Sequence, residues 1–228
     1  MTDSPQTTTT AAPTSTTTAP TSAVPQQPVF MGEIALINAE LQARMDGRSM
    51  RPGCPVGYDQ LRHLTLSHWD FEGAVRTGEL VVHETVAEDI VAVFRQLFEL
   101  RYPIRRMTLV DDFGPGSTAS DGADDFASIE ADNTSAFNCR TRTGSGSEYS
   151  QHAFGTAIDL NPLENPYVGR SGTTSHPASV PFLDRSAGAP GVVTADDPVV
   201  RALRSIGWGW GGDWEGIKDY QHFSATGR

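Results

Sequence analysis

The chain has 228 residues, 38% hydrophobic and 20% charged, a composition that suits a folded domain rather than a fibre. Its longest uninterrupted apolar run, Ile90 to Phe94, is far short of the roughly 20 residues a membrane-spanning helix needs. The formal charge is −11, and Lys218 is the only Lys among 17 basic residues. That balance argues against a nucleic-acid backbone or an anionic membrane surface as the main partner.

Residues 1–30 hold ten Thr and five Pro, one charge (Asp3) and no apolar periodicity. Such a segment cannot offset its ordering entropy, and we expect a disordered tail or stalk. It lacks the basic start and apolar stretch of a signal peptide. Residues 31–228 make one domain's worth of chain, with the remaining charge of −10. Ile34, Leu36, Ile37 and Leu41 predict a short helix over Met31 to Met45. The strongest helix signal runs from Glu84 to Arg101, where Val86, Ile90, Val93, Phe94, Leu97 and Phe98 recur at helical spacing. Arg106 to Val110 reads as a strand leading into an acidic, Gly-rich loop, Asp111 to Asp125. Gly155 to Leu160 reads as a buried strand. Residues 161–196 are a long Pro/Gly/Ser-rich loop, a length that suits a lid or a binding wall. Asp197 and Pro198 start a helix that Gly207 stops, and Trp208 to Phe223 holds the last strands. Helices followed by strands indicate an α+β fold.

Two of the six His stand in informative company. His152 lies in Ser150-Gln151-His152-Ala153-Phe154-Gly155-Thr156-Ala157-Ile158-Asp159, and His222 ends Asp219-Tyr220-Gln221-His222. A zinc peptidase needs three N or O ligands, an open fourth position, and a carboxylate beside the water. His152, Asp159 and His222 can supply the ligands and Asp219 the base. The same spacing also fits a structural salt bridge. The two cysteines, Cys54 and Cys139, form either one disulfide or two separate thiols. His63, His68 and His83 read as structural, and His176 as an exposed loop residue. The aspartates between Asp111 and Asp125 lack the spacing of an EF-hand calcium loop.

The string S-x-H-x-x-G-x-A-x-D, with the later W-G-G-D-W and D-Y-Q-H-F, resembles the VanY-like D-alanyl-D-alanine carboxypeptidases. Their relatives, the L-alanyl-D-glutamate endopeptidases, share it. The resemblance covers Asn133 to Phe223, including Asn133 to Arg140 and Asn161-Pro162 with Asn165-Pro166-Tyr167. It implies a single α+β domain, an antiparallel sheet with helices packed on one side, and a mononuclear zinc site. By that resemblance His152, Asp159 and His222 hold Zn2+, Asp219 is the catalytic carboxylate, and Arg140 binds the carbonyl or carboxylate of the substrate. Arg142 is the other candidate for that role. Ser150, Trp210 and Trp214 are candidate substrate contacts, although core packing also accounts for a Trp in such a segment.

The implied activity is hydrolysis of peptidoglycan stem peptides at the bacterial cell envelope or outside the cell. A D-alanyl-D-alanine carboxypeptidase is the leading reading and an L-alanyl-D-glutamate endopeptidase the second. The signalling domain of hedgehog proteins resembles the same fold and triad, which leaves a non-catalytic binding module as a rival. Asp219 favours the enzyme, since a binding module has no need of it. The extracytoplasmic setting in turn predicts a Cys54–Cys139 disulfide.

Overall fold

A computed structural model of the chain describes residues 1–4, 6, 27–118, 121–142, 145 and 147–228. The expectation for the Thr/Pro-rich segment lies largely outside the described residues. Residues 31–45 form two elements instead of one helix: strand β1 (Gly32–Leu36) and helix α1 (Ala39–Met45). Ile34 and Leu36 are 42% and 70% exposed, so they do not belong to the buried helical stripe. The break falls at Asn38, whose side chain accepts from Leu41 N at 2.8 Å and caps α1.

Strand β1 is the edge of an antiparallel sheet with β2 (Leu61–Trp69) and β3 (Val75–His83). This hairpin, the largest strand pair, has no counterpart in the sequence reading. Both of its faces are covered. Leu64, Leu66, Leu80 and Val82 join one core cluster, and Leu61 and Val81 join another. Helix α2 (Ala87–Glu99) covers the first face, burying Ile90, Val93, Phe94 and Leu97 as its spacing predicts. Helix α1 belongs to the second cluster through Leu41 and Met45, and Arg44 reaches Glu79 at 2.7 Å. Helices therefore lie on both sides of the sheet, a correction to the one-sided arrangement. The cause is the double burial of the hairpin, which gives each face its own apolar set.

Arg106 to Val110 is no strand. Arg106 makes an isolated bridge to Asn133, and Val110–Phe113 is a 3-10 turn. Beyond the short helix α3 (Asp125–Glu130), Asn133 to Arg140 runs as a buried, extended connector. Its backbone bonds in turn to Arg106, Asp159, Val81, His152 and Ser49, so it ties the large sheet to the chain's second half. There β4 (Ala157–Asp159) lies inside the predicted strand. Strand β5 (Tyr167–Val168), helix α4 (Pro198–Ser205), and strands β6 (Gly209–Trp210), β7 (Lys218–Asp219) and β8 (His222–Ser224) complete the order. The sheets β4-β8-β6 and β5-β7 are both antiparallel. Helix α4 starts at the Asp197 cap, and Gly207 follows it at φ 84°.

Cys54 and Cys139 are bonded, closing a sequence separation of 85 residues. The bridge holds the residue next to Arg140, and Arg51 Nε also donates to Cys139 O at 2.7 Å. Loop-closure entropy for a span of this order reaches about 4–5 kcal/mol, with measured effects often smaller. We expect Cys54→Ser to lower unfolding free energy by at least about 2 kcal/mol against the oxidised protein. Chemical denaturation reads this directly, and an unchanged midpoint would contradict it.

The long loop is pinned rather than free. Asn161 Nδ2 donates to Pro103 O at 2.7 Å, and Asn165 bonds to Leu160, Gly191 and Val193 backbone atoms. Between them Glu164 is buried, and its Oε2 has no hydrogen-bond partner. Burial first, and the neighbouring Asp132 second, push its carboxyl up to about 8 from 4.5. The folded chain therefore holds a proton that the unfolded chain releases between pH 4.5 and about 8, and stability falls across that window. Glu164→Gln should be the more stable chain at pH 8, by about 1 kcal/mol or more. The difference should vanish below pH 4.5, where both states carry the proton. Denaturant midpoints that stay equal at both pH values would contradict it.

Candidate metal and catalytic site

The site forms where β4 meets β8. In this antiparallel pair Asp159 lies directly opposite His222, and Ile158 opposite Phe223. The two-residue period sends Ile158 and Phe223 into the core and presents Asp159 and His222 together on the other face. His152 arrives on a 3-10 turn, Gln151–Phe154, whose start is capped by Ser150 Oγ accepting from His152 N. Gly155 ends that turn in the left-handed region, at φ 68°. A Cβ there would stand 2.6 Å from His83 N, so the turn packs against the large sheet only with Gly.

The hydrogen bonds behind the two rings decide which nitrogens face the centre. His152 Nδ1 lies 2.6 Å from Ala136 O, and His222 Nε2 lies 3.3 Å from Arg228 O. Carbonyl oxygens only accept, so both of these nitrogens donate. Lone pairs are left on His152 Nε2 and His222 Nδ1, which sit 3.2 Å apart. Asp159 places Oδ2 3.2 Å from the first and Oδ1 3.1 Å from the second. All three residues are buried. Three acceptors this close in a buried site repel unless a cation or a shared proton lies among them. Zinc bonds of about 2.0–2.1 Å in tetrahedral geometry set ligand atoms roughly 3.3 Å apart, close to the spacings here. Backbone carbonyls behind the histidines are also the usual partners of metal-bound imidazole. The donor set fits a metal ion. Burial opposes the charge on Asp159, and protonated His152 first and then His222, or a cation held among the three, would keep its carboxyl below the usual carboxylate range.

Asp219 stands beside the triad, on β7 opposite Tyr167. Gly211 makes room for it, since a Cβ at 211 would lie 2.4 Å from Asp219 O and 2.8 Å from its Cβ. Asp219 Oδ1 is buried without a hydrogen-bond partner. Burial first and the charge of Asp159 second push its carboxyl up to about 7, against the pull of His222 and Arg140. A cation in the triad would draw it back down. A carboxylate at this position is suited to accept a proton from a water held at the triad.

Arg140 is half-buried, with one guanidinium nitrogen 3.1 Å from Asp125 Oδ2. Burial works against its charge, but Asp125, Asp159, Asp219 and Asp121 raise its proton affinity above the ordinary value. Its Nε has no partner. Arg142 is exposed and pairs with Glu148, so Arg140 is the better placed of the two. Arg140, Arg142, Tyr167 and Asp219 line two adjoining cavities, of about 450 and 470 Å3. His152 and His222 open onto the second, together with Ser150 and Trp214. Trp214 packs its ring 5.5 Å from that of His222.

Trp210 is placed differently from its expected groove position. It is 4% exposed, stacks on Phe223 and donates from Nε1 to Tyr220 O at 2.8 Å, so it supports β8 from behind. His176 also departs from expectation, being buried against Phe126 and not exposed. Asp125, Tyr167 and Gln221 are site residues that the sequence reading passed over. Gln221 could have been found from its place between Asp219 and His222. Tyr167 could have been found from its place in the Asn165-Pro166-Tyr167 string, whereas Asp125 carries no local signal.

A buried pair of imidazoles and a carboxylate, with a second carboxylate and an Arg at the mouth, is an arrangement suited to metal-assisted hydrolysis. Residues 143–225 match the family model described as D-alanyl-D-alanine carboxypeptidase, and this bears out the VanY-like resemblance over that segment. The match supports a peptidase. No curated protein and no solved structure gives a significant match to the chain.

Proposed function

We propose that the chain is a zinc-dependent D-alanyl-D-alanine carboxypeptidase acting on peptidoglycan stem peptides at the bacterial cell envelope. The observation that carries this reading is the convergence of three lone-pair donors, His152, Asp159 and His222, beside Asp219 and Arg140 at a cavity junction. When bound, the zinc would supply Lewis-acid polarisation of the scissile carbonyl and lower the pKa of a water to about 7.

The chain's own residues do the rest. Asp219 takes the proton of the attacking water at its free Oδ1 and returns it to the leaving amine. The main-chain oxygens of Ala136 and Arg228 keep His152 and His222 in the tautomers that face the centre. Arg140 keeps its charge even when buried, so its guanidinium can hold the substrate's terminal carboxylate or the developing oxyanion. Asp125 steadies that side chain from behind. Trp214 and Ser150 wall the second cavity and restrict water around the reacting bond.

One observation favours a second reading. Two cavities share Arg140 and Asp219 in their linings, and space on more than one side of the reacting bond would suit an L-alanyl-D-glutamate endopeptidase. Mass analysis of products from a defined pentapeptide stem separates the two. The carboxypeptidase releases a single terminal D-alanine, whereas cleavage after the first L-alanine would assign the endopeptidase.

A further inference from the structure

The first cavity, about 450 Å3, lies beside the Arg140–Asp219 pair, and none of the three triad residues lines it. Its wall includes His176 and Gln221, which are 6% and 5% exposed. Each has a buried polar atom without a partner, Nδ1 of His176 and Oε1 of Gln221. An unsatisfied buried group is costly, so two on one wall point to a ligand that completes them. Phe126, 51% exposed, lies against the His176 ring with centroids 4.3 Å apart and offers an aromatic face to the same space. The wall also holds Asp121, Asp124, Asp125 and Asp219 against Arg140 and Arg142, a net negative lining.

We propose that this cavity is a subsite for a primary ammonium group of the substrate. The inference rests on the peptidase reading, in which that group is the side-chain amine of the diamino acid in a stem peptide. An ammonium carries three N–H donors and no acceptor, matching a wall of unpartnered acceptors and carboxylates. The Phe126 face adds cation–π attraction. Burial lowers the proton affinity of His176, which favours the neutral ring, and a neutral imidazole keeps one acceptor nitrogen. An anionic group would meet the net negative lining instead.

Two pentapeptide stems that differ only in the lysine side chain, free or Nε-acetylated, test this on the zinc-loaded protein. Equilibrium binding and turnover are measured on both. The free amine should bind at least about tenfold more tightly. His176→Phe keeps the stacking but removes Nδ1, and Phe126→Leu removes the aromatic face. Each should cut the preference to about threefold or less, with zinc content and affinity for the acetylated peptide unchanged. Equal binding of the two peptides to the unmodified protein, or a full preference retained in both variants, overturns the subsite. A binding preference without hydrolysis of either peptide supports the subsite and defeats only the enzymatic reading. Absence of binding by both peptides overturns the two together.

Discussion

Replacing Asp219 by Asn should cut turnover by about 100- to 10,000-fold, the usual effect of removing a general base. The amide keeps the shape of the side chain but has no proton affinity to offer. Zinc content and fold should survive, because in the proposed centre His152, Asp159 and His222 complete the ligand set without it. A fourth protein ligand would occupy the position the water needs. Oδ1 of Asp219 is buried without a hydrogen-bond partner, so no turn-capping bond from that atom accounts for the residue. Asp213, another nearby carboxylate, is exposed and bound to Arg204 at 2.7 Å, so it is a poor substitute. Zinc and turnover must be read on one preparation. Near-normal turnover would remove Asp219 from the chemistry, and loss of zinc would make it a ligand.

His152→Ala should release the metal and abolish hydrolysis. His152 Nε2 touches both other ligands, at 3.2 Å each, so its removal opens the centre instead of weakening one edge. The remaining His222 and Asp159 would bind zinc as a two-ligand site, too few for a closed first shell. Metal analysis after extensive dialysis checks this, and stoichiometric zinc in the variant would contradict the ligand assignment. The fold itself should hold, since the 3-10 turn is fixed by the Ser150 cap and by Gly155 against His83.

The site was more legible in the sequence than the fold around it. Asp159 and His222 are opposite one another in a short pair, and the motif strings mark both strands. Helices α2 and α4 were readable because each buries one local stripe against a single core. The β2–β3 hairpin was not, because it is buried on both faces and its alternation is blurred by His63, His68 and Arg62. Thus His63 pairs with Glu79 at 2.8 Å on one face while Leu64 and Leu80 fill the other. Residues 31–45 failed for a different reason. Ile34, Leu36 and Ile37 fit a helical stripe and a strand equally well, and the Asn38 cap decides between them. Arg106 to Val110 has strand-like residues but only a single bridge partner, in the Asn133 connector. Strand identity there depended on a partner that local sequence does not name. The same holds for His176, whose burial comes from Phe126, 50 residues earlier in the chain.

If the triad and Asp219 form a metal-dependent peptidase centre, activity must follow the metal. Stripping the purified chain of metal with a chelator, restoring one equivalent of zinc and following cleavage of a pentapeptide stem reads this. Cleavage should disappear with the metal and return with that single equivalent. Full cleavage by the stripped protein, or none by the zinc-loaded protein, would contradict it.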